Sequence, residues 1–136
     1  MSEPDPDVEL VRELTETFSL DMPIERFAAA FDPAYSEVRP LRADLEGGMY
    51  RGRDAPAQFL AALREAWEEL SFELLDVRRV GDVVLFVVRL RALSRDTHVE
   101  IVTEVGLVAR LSDGRITRMY TYRDPADAVA AAQAAE

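Results

Sequence analysis

The chain of 136 residues contains no cysteine, which excludes disulfides, thiolate metal sites, iron–sulfur clusters and cysteine nucleophiles. It has no lysine either: all 16 basic residues are arginine, so no Schiff base can form with a carbonyl substrate or with pyridoxal phosphate. The single histidine, His98, cannot supply the two or three imidazoles of a typical zinc enzyme. Neither a cofactor nor a metal is expected. Positive charge is also scarce, with 16 basic residues against 26 acidic ones and a net charge of −10. Such a balance repels phosphate backbones, and no arginine cluster with interleaved aromatics offsets it, so nucleic acid is not expected as a partner. Long apolar runs are missing. The longest strongly apolar run, Val83 to Val88, is far too short to span a bilayer, and the acidic start, Met1-Ser2-Glu3-Pro4-Asp5, lacks the basic-then-apolar order of a secretory signal. The expected setting is the cytoplasm, with no membrane partner.

What is present suits one compact domain over residues 1–136, with 49% hydrophobic residues to build a core. Asp5-Pro6-Asp7 reads as a helix start, followed by an apolar stripe of Val11, Leu14 and Phe18. A second helix is expected from about Asp21, with Ile24, Phe27 and Phe31 as its stripe, ending at Asp32-Pro33. Tyr35 to Arg39 reads as a short strand closed by Pro40, and Leu41 to Gly48 as a charged loop. Met49 to Arg51 suits a brief edge strand. A third helix then opens at Asp54 and Pro56, and Phe59, Leu60, Leu63, Trp67 and Leu70 recur on it at helical spacing.

From Ser71 the period changes from near 3.6 to 2. Gly81-Asp82 reads as a hairpin turn between Phe72 to Val80 and Val83 to Ala92. In the next strand, Thr97 to Leu111, residues Val99, Ile101, Val105, Leu107, Ala109 and Leu111 share one face, and His98, Glu100, Glu104 and Arg110 the other. Ser112-Asp113-Gly114 turns into a last strand, Arg115 to Arg123, and Asp124-Pro125 opens an alanine-rich helix. Helices on one face of an antiparallel meander make an α+β architecture.

Phe31-Asp32-Pro33, Tyr50-Arg51-Gly52-Arg53, Asp113-Gly114-Arg115-Ile116, Tyr122, Asp124 and Ala126-Asp127-Ala128, in this order and spacing, resemble the SnoaL-like branch of the nuclear transport factor 2 superfamily. The resemblance covers almost the whole chain. It implies a cone-shaped fold, three N-terminal helices on a curved, mixed and mainly antiparallel sheet with a C-terminal helix, and a pocket at the open end of the cone. The superfamily includes ketosteroid isomerase, scytalone dehydratase, limonene epoxide hydrolase, polyketide cyclases and non-catalytic transport factors, so the fold alone does not assign an activity. Laid along this sequence, the ketosteroid isomerase pattern puts its general base near Arg39 and its acidic oxyanion donor near Leu107. Neither residue can do that chemistry.

The residues expected to line the pocket are Tyr35, Arg39, Tyr50, Phe59, Leu63, Trp67, Phe86, Leu107, Met119, Thr121 and Arg123. Arg39 and Arg123, at strand ends, are placed by the resemblance at the pocket mouth, where each could clamp an anion. His98 falls with Glu100 and Glu104 on a polar face, which argues against a catalytic role. Asp44 and Glu46 could approach the pocket from their loop, although charged loops commonly stay in water. Two functions follow: binding of a small apolar molecule, or cofactor-independent isomerase, dehydratase or cyclase chemistry. Arg89, Arg91, Glu100, Glu104 and Arg110, interleaved with Leu85, Val87, Val102 and Val108 on the outer sheet face, suit a homodimer contact.

Overall fold

A computed structural model describes residues 5–41 and 48–135. Helix α1 (Pro6–Thr17) begins where Asp5 accepts hydrogen bonds from the Asp7 and Val8 amides, with Pro6 in the first turn. Arg79 donates to both Asp5 and Asp7, pinning the start of this helix to the sheet and holding the Asp5 carboxyl below its ordinary range. Helix α2 (Ile24–Ala28) is a short second helix. Phe31, expected on its stripe, instead makes a parallel bridge to Ile116.

Strands β1 (Ser36–Arg39) and β2 (Tyr50–Gly52) precede helix α3 (Ala55–Ala66). The sheet continues as β3 (Trp67–Val80), β4 (Val83–Ser94), β5 (Glu100–Ser112) and β6 (Arg115–Tyr122), and helix α4 (Pro125–Ala134) ends the chain. The spatial order is β2-β1-β6-β5-β4-β3, with β1 parallel to β6 and every other pairing antiparallel. This is the mixed, mainly antiparallel α+β sheet that the resemblance implied.

The third helix is shorter than its apolar spacing predicts. Trp67 and Leu70 are the first and fourth residues of β3, not the last turns of a helix. Arg95 fixes the switch: its amide donates to the Ala66 carbonyl at 3.1 Å, and its guanidinium to the carbonyls of Arg64 and Trp67 at 3.2 and 3.3 Å. The carbonyls left without helical partners are thereby satisfied from the next hairpin.

Each face of the sheet has its own core. Val84, Phe86, Val88 and Leu90 of β4 and Val105, Leu107 and Ala109 of β5 pack with Val11, Phe27, Phe31, Phe59, Leu60 and Leu63 on the helical side. Full burial of each large side chain there stabilises by about 1.5–3 kcal/mol. The alternate residues Val83 and Leu85 are buried on the opposite face against Ala128 and Ala132 of α4. Gly106 of β5 makes this possible, since a Cβ at that position would lie 2.5 Å from the Ala128 Cβ and 3.1 Å from the Pro125 Cα. Leu85 and Val108, expected on an open dimer face, are therefore packed by the chain's own last helix. What stays open on that face centres on Val102, 50% exposed, beside cross-strand ion pairs of Arg89 with Glu73 and Glu104 and of Arg91 with Glu100.

Candidate functional site

Between the helices and the inner sheet face lies a cavity of about 90 Å³. Leu14, Thr15 and Phe18 come from α1 and its C-cap, Phe27 from α2, and Phe59 and Leu63 from α3. The sheet contributes Trp67, Leu70 and Phe72 of β3, Phe86, Val88 and Leu90 of β4, Val105 and Leu107 of β5, and Met119 and Thr121 of β6, and Leu41 also borders the space. Alternation explains the sheet contribution. The register Phe86↔Leu107 and Leu107↔Thr121 sets side chains of three adjacent strands on one face.

Of the eleven residues expected at the pocket, Phe59, Leu63, Trp67, Phe86, Leu107, Met119 and Thr121 border this cavity. Tyr35, Arg39, Tyr50 and Arg123 do not. Strand β1 turns Ser36 and Val38 inward, both fully buried, so Glu37 and Arg39 face outward. The Arg39 guanidinium lies 4.5 Å from the ring centre of Tyr120 and 4.6 Å from that of Tyr122, a cation–π arrangement on the outer face. Tyr35 is 49% exposed and donates to Glu37 Oε1 at 3.0 Å. Tyr50 packs behind the wall, its ring centre 6.3 Å from that of Phe59. Arg123 is an exposed residue past the end of β6.

Glu37 was not anticipated as an organising residue, although the alternation of Ser36-Glu37-Val38-Arg39 carries the signal. Its carboxylate accepts from the Tyr120 hydroxyl at 2.7 Å as well as from Tyr35, and Arg118 Nε lies 3.5 Å away. The hydrogen bond from Tyr120, then that from Tyr35, holds the Glu37 carboxyl below its ordinary range. Burial, and then the bond to Glu37, push the Tyr120 hydroxyl up. This is a charged cluster, but it sits on the far side of the sheet from the cavity.

His98 lies away from the cavity too. It is exposed, has φ 56°, and its Nδ1 is 3.3 Å from Glu68 Oε2. Asp44 and Glu46 lie outside the described residues. Among the described residues, no group of three or more His, Asp or Glu side chains is placed to hold a metal ion. Among the described residues that border the cavity, none is Asp, Glu, His, Arg or Tyr. The wall residues that sequence reasoning passed over are chiefly Leu14, Thr15 and Phe18 of the first helix and Phe72, Val88, Leu90 and Val105 of the sheet. Their apolar periodicity was visible, but it marks core and cavity wall alike.

A helix-covered, curved mixed sheet around an apolar cavity is the cone fold of nuclear transport factor 2-like proteins. The profile of the SnoaL-like domain matches residues 11–119, and the chain belongs to that family. Solved structures share the fold. A nuclear transport factor 2-like protein of unknown function from Burkholderia pseudomallei is 18% identical, with 93% of this chain and 97% of that one covered and a TM-score of 0.76. A protein from Jannaschia sp. that carries the name of a SnoaL-like polyketide cyclase is 18% identical over 98% and 99% of the two chains, with a TM-score of 0.72. TerC, co-crystallized with polyporic acid, is 19% identical over 90% and 95%, with a TM-score of 0.73. No curated protein matches the chain in sequence. Among the described residues, no helix is long and apolar enough to cross a membrane.

Proposed function

We propose that the protein binds a small apolar molecule inside the cone without transforming it. The observation that carries this reading is the wall itself: none of the described residues bordering the cavity has a side chain that exchanges a proton near neutral pH. General acid–base catalysis needs such a group within hydrogen-bond reach of the reacting atom. Isomerase, dehydratase or cyclase activity is the competing reading, and its support is the names of relatives under 25% identical. That TerC is co-crystallized with polyporic acid shows an organic ligand associated with one chain of this fold.

The cavity, at about 90 Å³, is smaller than the apolar cavity of roughly 150 Å³ that admits benzene. A ring seated wholly within it must therefore displace side chains, and Met119, unbranched and adaptable, is the wall residue best suited to yield. Trp67 is the chain's one tryptophan and borders the cavity, so its fluorescence reports occupancy. Titration with ethylbenzene is expected to change that emission saturably, and Leu107→Trp, which fills the space, to abolish binding measured by calorimetry while the circular dichroism stays native. No saturable binding up to the solubility limit would overturn the reading.

The proposed setting is the cytoplasm, in keeping with a chain free of cysteine. The proposed assembly is a homodimer through the part of the outer face that α4 leaves uncovered, around Val87 and Val102. A monomeric mass by light scattering at micromolar concentration would rule that contact out.

A further inference from the structure

Among the described residues that border the cavity, three have side chains carrying nitrogen or oxygen: Thr15, Trp67 and Thr121. The Thr15 hydroxyl donates its proton to the Val11 carbonyl, one turn back in its helix, at 2.8 Å. By contrast, neither the indole N–H of Trp67 nor the hydroxyl of Thr121 has a hydrogen-bond partner among the described residues. Trp67 is nonetheless only 6% exposed. Among the described residues, the one unpartnered side-chain polar atom fully sealed from solvent is Ser36 Oγ. The Trp67 nitrogen and the Thr121 oxygen are therefore not sealed off, and each belongs to a residue that borders the cavity.

These two groups differ in what they can receive. Indole N–H is a donor only, whereas a hydroxyl both donates and accepts. An N–H that has no acceptor in the protein, on a side chain otherwise buried, is free to donate to a ligand oxygen. The described wall residues offer no cation to an anion and no carboxylate to a cation, so they give an ionic ligand nothing in exchange for its hydration.

Building on the binding role proposed above, we infer that the cavity selects a neutral apolar molecule carrying one hydrogen-bond acceptor oxygen, a ketone, ester or ether, received by the Trp67 indole N–H. Trp67 is then the residue that sets specificity, and the apolar wall supplies the affinity common to all small hydrophobic molecules. Pockets of this kind owe orientation and selectivity to a few polar groups in an apolar lining.

Three probes of similar size separate the terms: acetophenone, ethylbenzene and benzoate, each titrated into the full chain. With a single tryptophan, the indole group gives one proton–nitrogen NMR cross-peak. Acetophenone should move its proton downfield, ethylbenzene should leave it without that downfield shift, and benzoate should bind at least tenfold more weakly than acetophenone. Trp67→Phe should lower the ratio of acetophenone to ethylbenzene affinity about three- to tenfold, the range of one neutral hydrogen bond, and Thr121→Val should leave it unchanged. An indole proton unmoved by bound acetophenone overturns the inference in the unmodified protein, even if Trp67→Phe fails to fold. A ratio lost with Thr121→Val instead of Trp67→Phe overturns the assignment to Trp67. Ethylbenzene bound with an unchanged ratio sinks only this inference, whereas no binding of any probe counts against the binding role itself.

Discussion

Strand β6 carries two chemistries on alternate residues. Met119 and Thr121 border the cavity, while Arg118, Tyr120 and Tyr122 face outward and meet Glu37 and Arg39 of β1. The inner face has volume but, among the described residues, no titratable wall. The outer face has a hydrogen-bonded, partly desolvated carboxylate that does not border this cavity. Proton chemistry needs both at one place, and the pleat separates them by the thickness of one sheet.

The largest effect that tests this contrast is expected on the inner face. Phe86, 4% exposed in the main core, should cost about 3–5 kcal/mol when replaced by alanine, read from urea denaturation. A loss under 1 kcal/mol would mean that the inner wall is not packed as described. On the outer face, Gly106→Val should cost about 1–3 kcal/mol through overpacking, because the new side chain meets the Pro125 backbone as well as Ala128. Faster hydrogen exchange in α4 than in β4 would show that the helix is displaced first; an unchanged α4 would contradict its close seat on β5.

The smallest effect concerns Glu37 and depends on pH. Its carboxyl titrates lower in the folded chain than its ordinary value of 4.5. The folded state therefore favours the ionised form, and that contribution is present above pH 4.5 and lost as pH falls through the lower folded value. Glu37→Gln should reduce stability by about 1 kcal/mol at pH 7, a hydrogen-bond magnitude, and narrow the gap to the parent protein between pH 5 and 3. Asp5, also held low by its bond to Arg79, keeps part of the acid slope in the variant. A gap that stays constant over that range would detach Glu37 from the acid sensitivity.

Much of the fold was legible because its signals are local. Asp5-Pro6 and Asp124-Pro125 act through capping and proline geometry within one turn, and both open helices here. Gly81-Asp82 joins β3 to β4, and the alternation of β4 and β5 assigned their faces. The site was legible only in part. Trp67 satisfies a helical stripe after Leu63 as well as it satisfies the start of a strand, and the decision rests on Arg95, which is 28 residues later and reaches the Trp67 carbonyl. Arg39 was misplaced because a resemblance at the level of position says nothing about the side of a pleat; Val38, its fully buried neighbour, settles that side. Gly106, a glycine in a strand interior, was the available sign that backbone or helix approaches closely there, and it went unread.

By itself, the sequence determined that no cysteine or lysine side chain is available in these residues, and much of the sheet-and-helix order of a SnoaL-like domain. Those properties follow from composition and from periods of 2 and 3.6 residues, which need no knowledge of distant contacts. Only the tertiary structure decided that the charged cluster and the cavity fall on opposite faces, that α4 covers part of the outer face, and that Trp67, whose indole N–H has no partner among the described residues, borders the cavity. Those outcomes depend on register and on packing between residues far apart in the chain, where one step along a strand moves a side chain from one face to the other.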